Sequence, residues 1–274
     1  MRGQYLFFNT ELISANQWDE TSVQGIQVYE VLRMIKGAPL FFEDHIKRLQ
    51  HSFKLIGETI LIDKNILFNQ FIELGKKNLI SEGNIKLNFI INAEGYTQVS
   101  YFIPHSYPSE SDYRKGVKVG FLDIERKNPE AKVEQGVNEK IKTSGQDPDV
   151  YEVMLVNKEG LITEGSRSNM VFIKVNTLYT CPLKKVLRGV TLAKVLEIAS
   201  RENIQVFFEA VPKTAISTFD ALFITGTSPK LLPVALAGDI HFDVHNPLMH
   251  HLMARYNKLI KQEIINAKQL QKTS

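Results

Sequence analysis

Two periods of apolar residues run through the chain and set its expected elements. Residues 4–8 (QYLFF) read as a strand and Asn9-Thr10-Glu11 as a tight turn after it. Residues 22–34 (SVQGIQVYEVLRM) continue as a strand with a break at Gly25. Lys36-Gly37-Ala38-Pro39 then turns the chain into Leu40-Phe41-Phe42. From Glu43 the period changes. Ile46, Leu49, Phe53 and Ile56 fall on one helical face, with Gly57 as the stop. A second helix is expected over residues 63–80, capped by Asp63 and carrying Ile66, Phe68, Phe71 and Leu74 on its apolar side. Residues 85–92 and 98–104 follow as two strands joined through Ala93-Glu94-Gly95-Tyr96.

The polar, Pro/Ser-rich segment 104–116 (PHSYPSESDYRKG) is the expected linker. It divides a small N-terminal α+β domain, residues 1–106, from a larger sheet-rich domain, residues 107–274. In the second domain, strands are expected at 117–124, 150–156, 161–163, 169–175, 178–181, 205–209 and 220–224. Helices are expected at 191–202 and 247–266. No repeat or heptad run is present. The expectation is an α+β protein of two domains with a cleft between them.

Composition narrows the class. The 33 basic and 30 acidic residues leave a net charge of +3, and no zinc-finger, RNP or basic-helix pattern is present, so nucleic acid is not an expected partner. A single cysteine, Cys181, cannot form an internal disulfide. With no secretory signal and no apolar run of membrane-spanning length, a cytoplasmic, membrane-free protein is expected. The histidines show no metal spacing, and adjacent His250 and His251 would point apart on a helix, so no metal site is expected. GxSxG, Walker A and GxGxxG motifs are absent.

Candidate chemistry centres on residues 151–172 (YEVMLVNKEGLITEGSRSNMVF). There a turn at Asn157-Lys158-Glu159-Gly160 leads through Leu161-Ile162-Thr163 into Glu164 and the small residues Gly165-Ser166. A carboxylate at that point is held rigidly beside an opening, although an isolated Glu is more often a surface acid. Arg48 lies on the first helix, where a solvated face is the plain reading, yet a guanidinium grips phosphate with two parallel hydrogen bonds. Leu187-Arg188-Gly189-Val190-Thr191 opens a helix whose free N–H groups would receive an anion as readily as an ordinary cap would fill them. Ile224-Thr225-Gly226-Thr227-Ser228-Pro229 ends a strand with hydroxyls around a glycine. Three anion-friendly places favour a phosphate-bearing ligand. Among the lysines, Lys132, Lys140 and Lys142 follow the strand 117–124. A desolvated lysine in a pocket could form a Schiff base.

Together these stretches resemble the fold-type IV pyridoxal-phosphate enzymes, the class IV aminotransferase family. That family holds branched-chain and D-amino-acid aminotransferases and aminodeoxychorismate lyases. The likeness runs from Asn9 to Val234. It is carried by Val28-Tyr29-Glu30-Val31-Leu32-Arg33, His45-x-x-Arg48-Leu49, Gly160-x-x-x-Glu164-Gly165, Asn169, Gly189-Val190-Thr191 and Gly226-Thr227-Ser228. The resemblance implies pyridoxal 5'-phosphate as cofactor, Lys132 as the Schiff-base lysine and Glu164 as partner of the pyridine nitrogen. It implies Arg48, Val190, Thr191 and Thr227 as the phosphate cup. Tyr29, Lys86 and Ser228 match substrate-side positions. Lys86 stands on the strand where branched-chain enzymes carry an Arg, and Val137 stands where some aminotransferases carry a Tyr. Glu30 resembles the aminotransferases more than the lyases. The implied function is amino-group transfer between an amino acid, branched-chain among the candidates, and a 2-oxo acid. The lyase reaction giving pyruvate and 4-aminobenzoate stays open, and a homodimer is implied.

Overall fold

The computed structural model describes residues 1–19, 24–134, 147 and 149–273. Its chain forms two compact units, and they are not contiguous stretches. The first holds Met1–Ser106, Ala131–Glu134 and Leu259–Ser274, and the second holds Tyr107–Glu130 and Gln135–Lys258. Two segments of the expected second domain, residues 107–274, thus belong to the first unit.

The first unit is built on a six-stranded sheet: β1 (Arg2–Phe8), β2 (Glu11–Ser14), β3 (Ile26–Ile35), β4 (Ala38–Pro39), β5 (Gly83–Asn92) and β6 (Gly95–Ile103), in the order β2-β1-β6-β5-β3-β4. The central β3/β5/β6 ladder is antiparallel, and it aligns Glu30 with Leu87 and Ser100, and Tyr29 with Asn88 and Val99. Strand β2 was not expected. Asn9 takes φ +51 and closes a hairpin where only a turn had been read. Gly25 is required by close approach, since a Cβ there would lie 2.4 Å from the Ile91 carbonyl oxygen.

Two helices cover one face of this sheet, α1 (Phe42–Leu55) and α2 (Lys64–Lys77). Helix α1 buries Phe42, Ile46, Leu49 and Phe53, which join Val28, Leu32, Ile85, Leu87 and Phe102 in one apolar core. Asp63 caps α2 as expected, accepting from the Asn65 and Ile66 N–H groups. The buried face of α2 is Leu67, Phe71 and Leu74, however, while Ile66 is exposed. The 100° step between neighbouring residues turns Ile66 off the stripe that Leu67 shares with Phe71 and Leu74.

The second unit carries a sheet of ten strands among the described residues. Its members are β7 (Val117–Asp123), β8 (Glu152–Val156), β9 (Leu161–Gly165), β10 (Asn169–Lys174), β11 (Thr177–Thr180), β12 (Val206–Phe208), β13 (Val211–Pro212), β14 (Ala221–Gly226), β15 (Lys230–Ala237) and β16 (Ile240–His241). The order is β12-β11-β10-β14-β15-β7-β8-β9-β13, with β16 beside β15. Strand β15 escaped the sequence reading because Pro233 interrupts it. Pro233 is accommodated because the ladder to β7 begins one residue later, at Val234.

The expected linker is not a linker throughout. It contains a helix, α3 (Glu110–Lys115), started by a capping box in which Ser109 and Asp112 satisfy each other's backbone N–H groups. Tyr113 on this helix donates to the Pro229 carbonyl at 2.9 Å and packs on the second core. Helix α4 (Val190–Arg201) matches the expected position, with Gly189 in the cap place and Thr191 in the first turn. The last helix, α5 (Pro247–Thr273), runs beyond the expected end. No helix among the described residues is long and apolar enough to cross a membrane.

Candidate active site

In the first unit, alternation along β3 gives its two faces different chemistry. Val28, Glu30 and Leu32 point into the helix-covered core, and Gln27, Tyr29 and Val31 lie on the other face. Glu30 has no exposure at all. Its carboxylate receives Arg48 edge-on, with Nε to Oε1 at 2.7 Å and Nη2 to Oε2 at 2.6 Å. His45, one turn earlier on α1, places Nδ1 2.8 Å from the same Oε2. Burial alone would push the Glu30 carboxyl up. The Arg48 guanidinium and the hydrogen bonds from Arg48 and His45 outweigh it and bring the group down to about 2. Burial pushes His45 below the usual imidazole range, and the charges of Arg48 and Lys132 add to this against the opposing pull of Glu30. A neutral His45 therefore donates its Nδ1–H to Glu30.

Lys132 belongs to this unit too. Its segment lies antiparallel beside β3, with Val28 bridged to Val133. The Tyr29 N–H donates to the Lys132 carbonyl at 3.1 Å, and the Glu134 N–H to the Gln27 carbonyl at 3.1 Å. The Lys132 N–H donates to the buried Ser52 hydroxyl of α1 at 3.0 Å. Its ammonium stands 4.8 Å from the centre of the Tyr29 ring. The Lys86 ammonium stands 5.5 Å from that ring and 5.9 Å from the Tyr101 ring. The fold thus brings Lys132, Tyr29 and Lys86 together on one side of β3. Lys140, Lys142 and Val137 lie outside the described residues.

In the second unit, Glu164 stands on β9, buried, with Oε2 accepting the Leu187 N–H at 3.1 Å. Arg126 Nε is 3.0 Å from Glu164 Oε1. That N–H is not aligned for a hydrogen bond, so the contact is an ion pair. The loop after Glu164 is held by a second buried acid that the sequence reading passed over. Glu152 accepts from the N–H and hydroxyl of Ser166 and from the Val153 N–H through Oε1, and from the Arg167 N–H and the Ser168 hydroxyl through Oε2.

The same unit presents a helix N-terminus without a capping side chain. Gly189 occupies the cap of α4, and the first intrahelical bond runs from the Ala193 N–H to the Gly189 carbonyl. Asn169 reaches the Leu187 carbonyl at 2.8 Å, and a Cβ on Gly189 would sit 2.1 Å from Asn169 Oδ1. Val190 and Thr191 form the first turn, and the Thr191 hydroxyl lies 3.3 Å from that of Tyr256. Thr227 and Ser228 are half-buried on the turn after β14. On that strand, opposite Asn169, the Thr225 hydroxyl is buried and has no hydrogen-bond partner. An uncapped helix start beside an unsatisfied hydroxyl suits a phosphate. Cys181 has no reactive character, since burial pushes its thiol up to about 11. No metal-binding group of His, Cys, Asp and Glu occurs among the described residues.

Residues 27–237 match the family described as Amino-transferase class IV. The chain belongs to the class IV aminotransferase family. Among curated relatives, the D-alanine aminotransferase of Bacillus licheniformis is 29% identical over 77% of this chain and 78% of its own length. The aminodeoxychorismate lyase of Bacillus subtilis (strain 168) is 24% identical over 96% of this chain and 95% of its own. Among solved structures, the branched-chain amino acid aminotransferase of Escherichia coli superposes with a TM-score of 0.82 at 18% identity, covering 96% of each chain. A 4-amino-4-deoxychorismate lyase from Pseudomonas aeruginosa gives 0.77 at 18% identity, covering 92% of this chain and 98% of its own. The structural likenesses establish the α+β fold of the fold-type IV enzymes. The class IV member is therefore an enzyme of a family that contains both aminotransferases and lyases.

Proposed function

We propose that this class IV enzyme is a pyridoxal 5'-phosphate-dependent aminotransferase that moves an amino group between an amino acid and a 2-oxo acid. The observation that carries the reading is Lys132. Its backbone is tied to β3 on one side and to Ser52 on the other, and its amine stands over the Tyr29 ring. An amine held by a fixed main chain suits both roles the chemistry asks of it: attachment of the cofactor aldehyde and, once released, removal of the proton from the substrate Cα. When bound, the cofactor supplies an electron-accepting ring. Glu164 would hold a proton on the ring nitrogen. Arg48, the Val190 and Thr191 N–H groups and Thr227 would hold the phosphate. Tyr29, Lys86 and Ser228 would face the substrate, with the Lys86 ammonium pairing with its carboxylate. A homodimer is part of the proposal.

Reduction with borohydride in the presence of pyridoxal 5'-phosphate, followed by peptide mapping, tests the attachment. Modification of Lys132 is expected, and modification of another lysine instead would overturn its role. A panel of amino acids should then convert the bound cofactor to its amino form. The lyase reading has a specific support of its own, the end-to-end similarity to the B. subtilis aminodeoxychorismate lyase. Pyruvate and 4-aminobenzoate formed from aminodeoxychorismate with no 2-oxo acid present would favour it over transamination.

A further inference from the structure

Glu30 is a charge in the wrong place for a structural residue. It shares a row with Val28 and Leu32 in an apolar core, where a carboxylate gives up its hydration and needs charged and hydrogen-bonded partners in return. A well-packed apolar residue would serve stability as well. What Glu30 does instead is take one whole edge of a guanidinium, Nε and Nη2 together, while His45 fills the remaining direction at Oε2.

We propose that Glu30 is a positioning residue for phosphate recognition by Arg48: it fixes the plane and direction of the guanidinium, and His45 fixes Glu30. The inference rests on the reading of Arg48 as a ligand of the cofactor phosphate. Arginine has four rotatable side-chain bonds, and their freedom is lost when the phosphate binds unless something else has already frozen them. A bidentate carboxylate freezes them in advance and sets the plane of the fork.

Charge alone argues the other way, which is what makes the inference testable. Arg48 and Glu30 together carry no net charge, and His45 is neutral. A guanidinium already paired with a carboxylate attracts phosphate less than a lone one. If attraction were all that mattered, Glu30→Gln would tighten phosphate binding. If positioning matters more, the same substitution weakens it. The two readings differ in sign.

The experiment measures binding of pyridoxal 5'-phosphate and of pyridoxal, which lacks the phosphate, to the full-length protein by absorbance or fluorescence titration. Glu30→Gln is expected to weaken pyridoxal 5'-phosphate binding by about ten- to hundredfold and to leave pyridoxal nearly unchanged. In an Arg48→Lys background, adding Glu30→Gln should change little, because the residue acts through Arg48. Glu30→Asp keeps the charge but shortens the reach. It is expected to show the same selective loss, and it carries the test if Glu30→Gln does not fold by circular dichroism. Equal or tighter pyridoxal 5'-phosphate binding by the variants overturns the inference, as does an equal loss for both ligands or a full further loss in the Arg48→Lys background. A wild-type protein that binds no pyridoxal 5'-phosphate overturns the underlying reading together with this one.

Discussion

The backbone N–H of Lys132 donates to the hydroxyl of Ser52 at 3.0 Å, and Ser52 is fully buried on α1. A helix of the first unit therefore fixes the main chain of the proposed cofactor lysine. Ser52→Ala removes the acceptor and leaves a peptide donor unsatisfied, a loss of about 1–3 kcal/mol. Denaturant unfolding of the cofactor-free protein should show a lower midpoint. Borohydride trapping at Lys132 should slow, since the amine is less well placed. An unchanged trapping rate would detach Ser52 from any role in placing the lysine.

Gly189 and Asn169 make the second prediction. A Cβ at position 189 would lie 2.1 Å from Asn169 Oδ1, far inside contact distance. Gly189→Ala must therefore displace Asn169 from the Leu187 carbonyl or shift the start of α4, costing about 1–3 kcal/mol. Cofactor affinity should fall with stability if the N–H groups of Val190 and Thr191 hold the phosphate. Adding Asn169→Gly relieves the collision, so part of the stability should return. A Gly189→Ala protein as stable as wild type would show the approach to be loose.

Glu152 makes the third. Its carboxylate collects donors from Val153, Ser166, Arg167 and Ser168, and so shapes the loop that follows Glu164. Glu152→Gln replaces one accepting oxygen by an NH2 group that faces donors. The mismatch costs about 1–3 kcal/mol for each donor left unmatched. Amide hydrogen exchange should accelerate at Ser166 and Arg167 before it does elsewhere in the sheet. Uniform acceleration across the second unit would mean that Glu152 serves global stability rather than this loop.

The elements with a clear period were legible in the sequence, and the connections between faces were not. Helix α1 could be placed from Ile46, Leu49 and Phe53, and α2 from its Asp63 cap. Phe71 and Leu74 were legible on its inward face, but Ile66 stood in for Leu67, because a short run rich in Ile, Leu and Phe fits more than one stripe. Strand β15 was lost to Pro233, and α3 to its polarity, although its Ser109–Asp112 pair is a readable helix start. At the site, Glu30 entered only through the resemblance, and its buried pairing with Arg48 and His45 was the missed signal. Val28, Glu30 and Leu32 alternate inward, so an acid in that row demands buried cationic or donor partners, and His45 and Arg48 stand three residues apart on the next helix. Lys132 had no such mark. Neither period nor composition separates it from other lysines, and only the resemblance singled it out. The docking of its segment beside β3 is a tertiary contact between residues more than a hundred positions apart.

The buried triad also sets a pH dependence of stability. Glu30 falls from an ordinary 4.5 to about 2 in the folded protein, so the unfolded chain takes up its proton first as pH is lowered. The stabilisation is fully present above 4.5 and is lost as pH falls toward 2, amounting to about 3 kcal/mol. His45 is lowered from an ordinary 6.5, so below that value the unfolded chain again binds a proton that the folded one refuses, and stability declines there as well. Comparing each variant with wild type separates the two. The stability gap between wild type and Glu30→Gln, large at neutral pH because Arg48 loses its partner, should narrow between pH 4.5 and 2. His45→Gln should lose less stability than wild type between pH 7 and 5. Denaturant midpoints measured across this range check both, and parallel curves for all three proteins would show that protonation of neither Glu30 nor His45 is linked to folding.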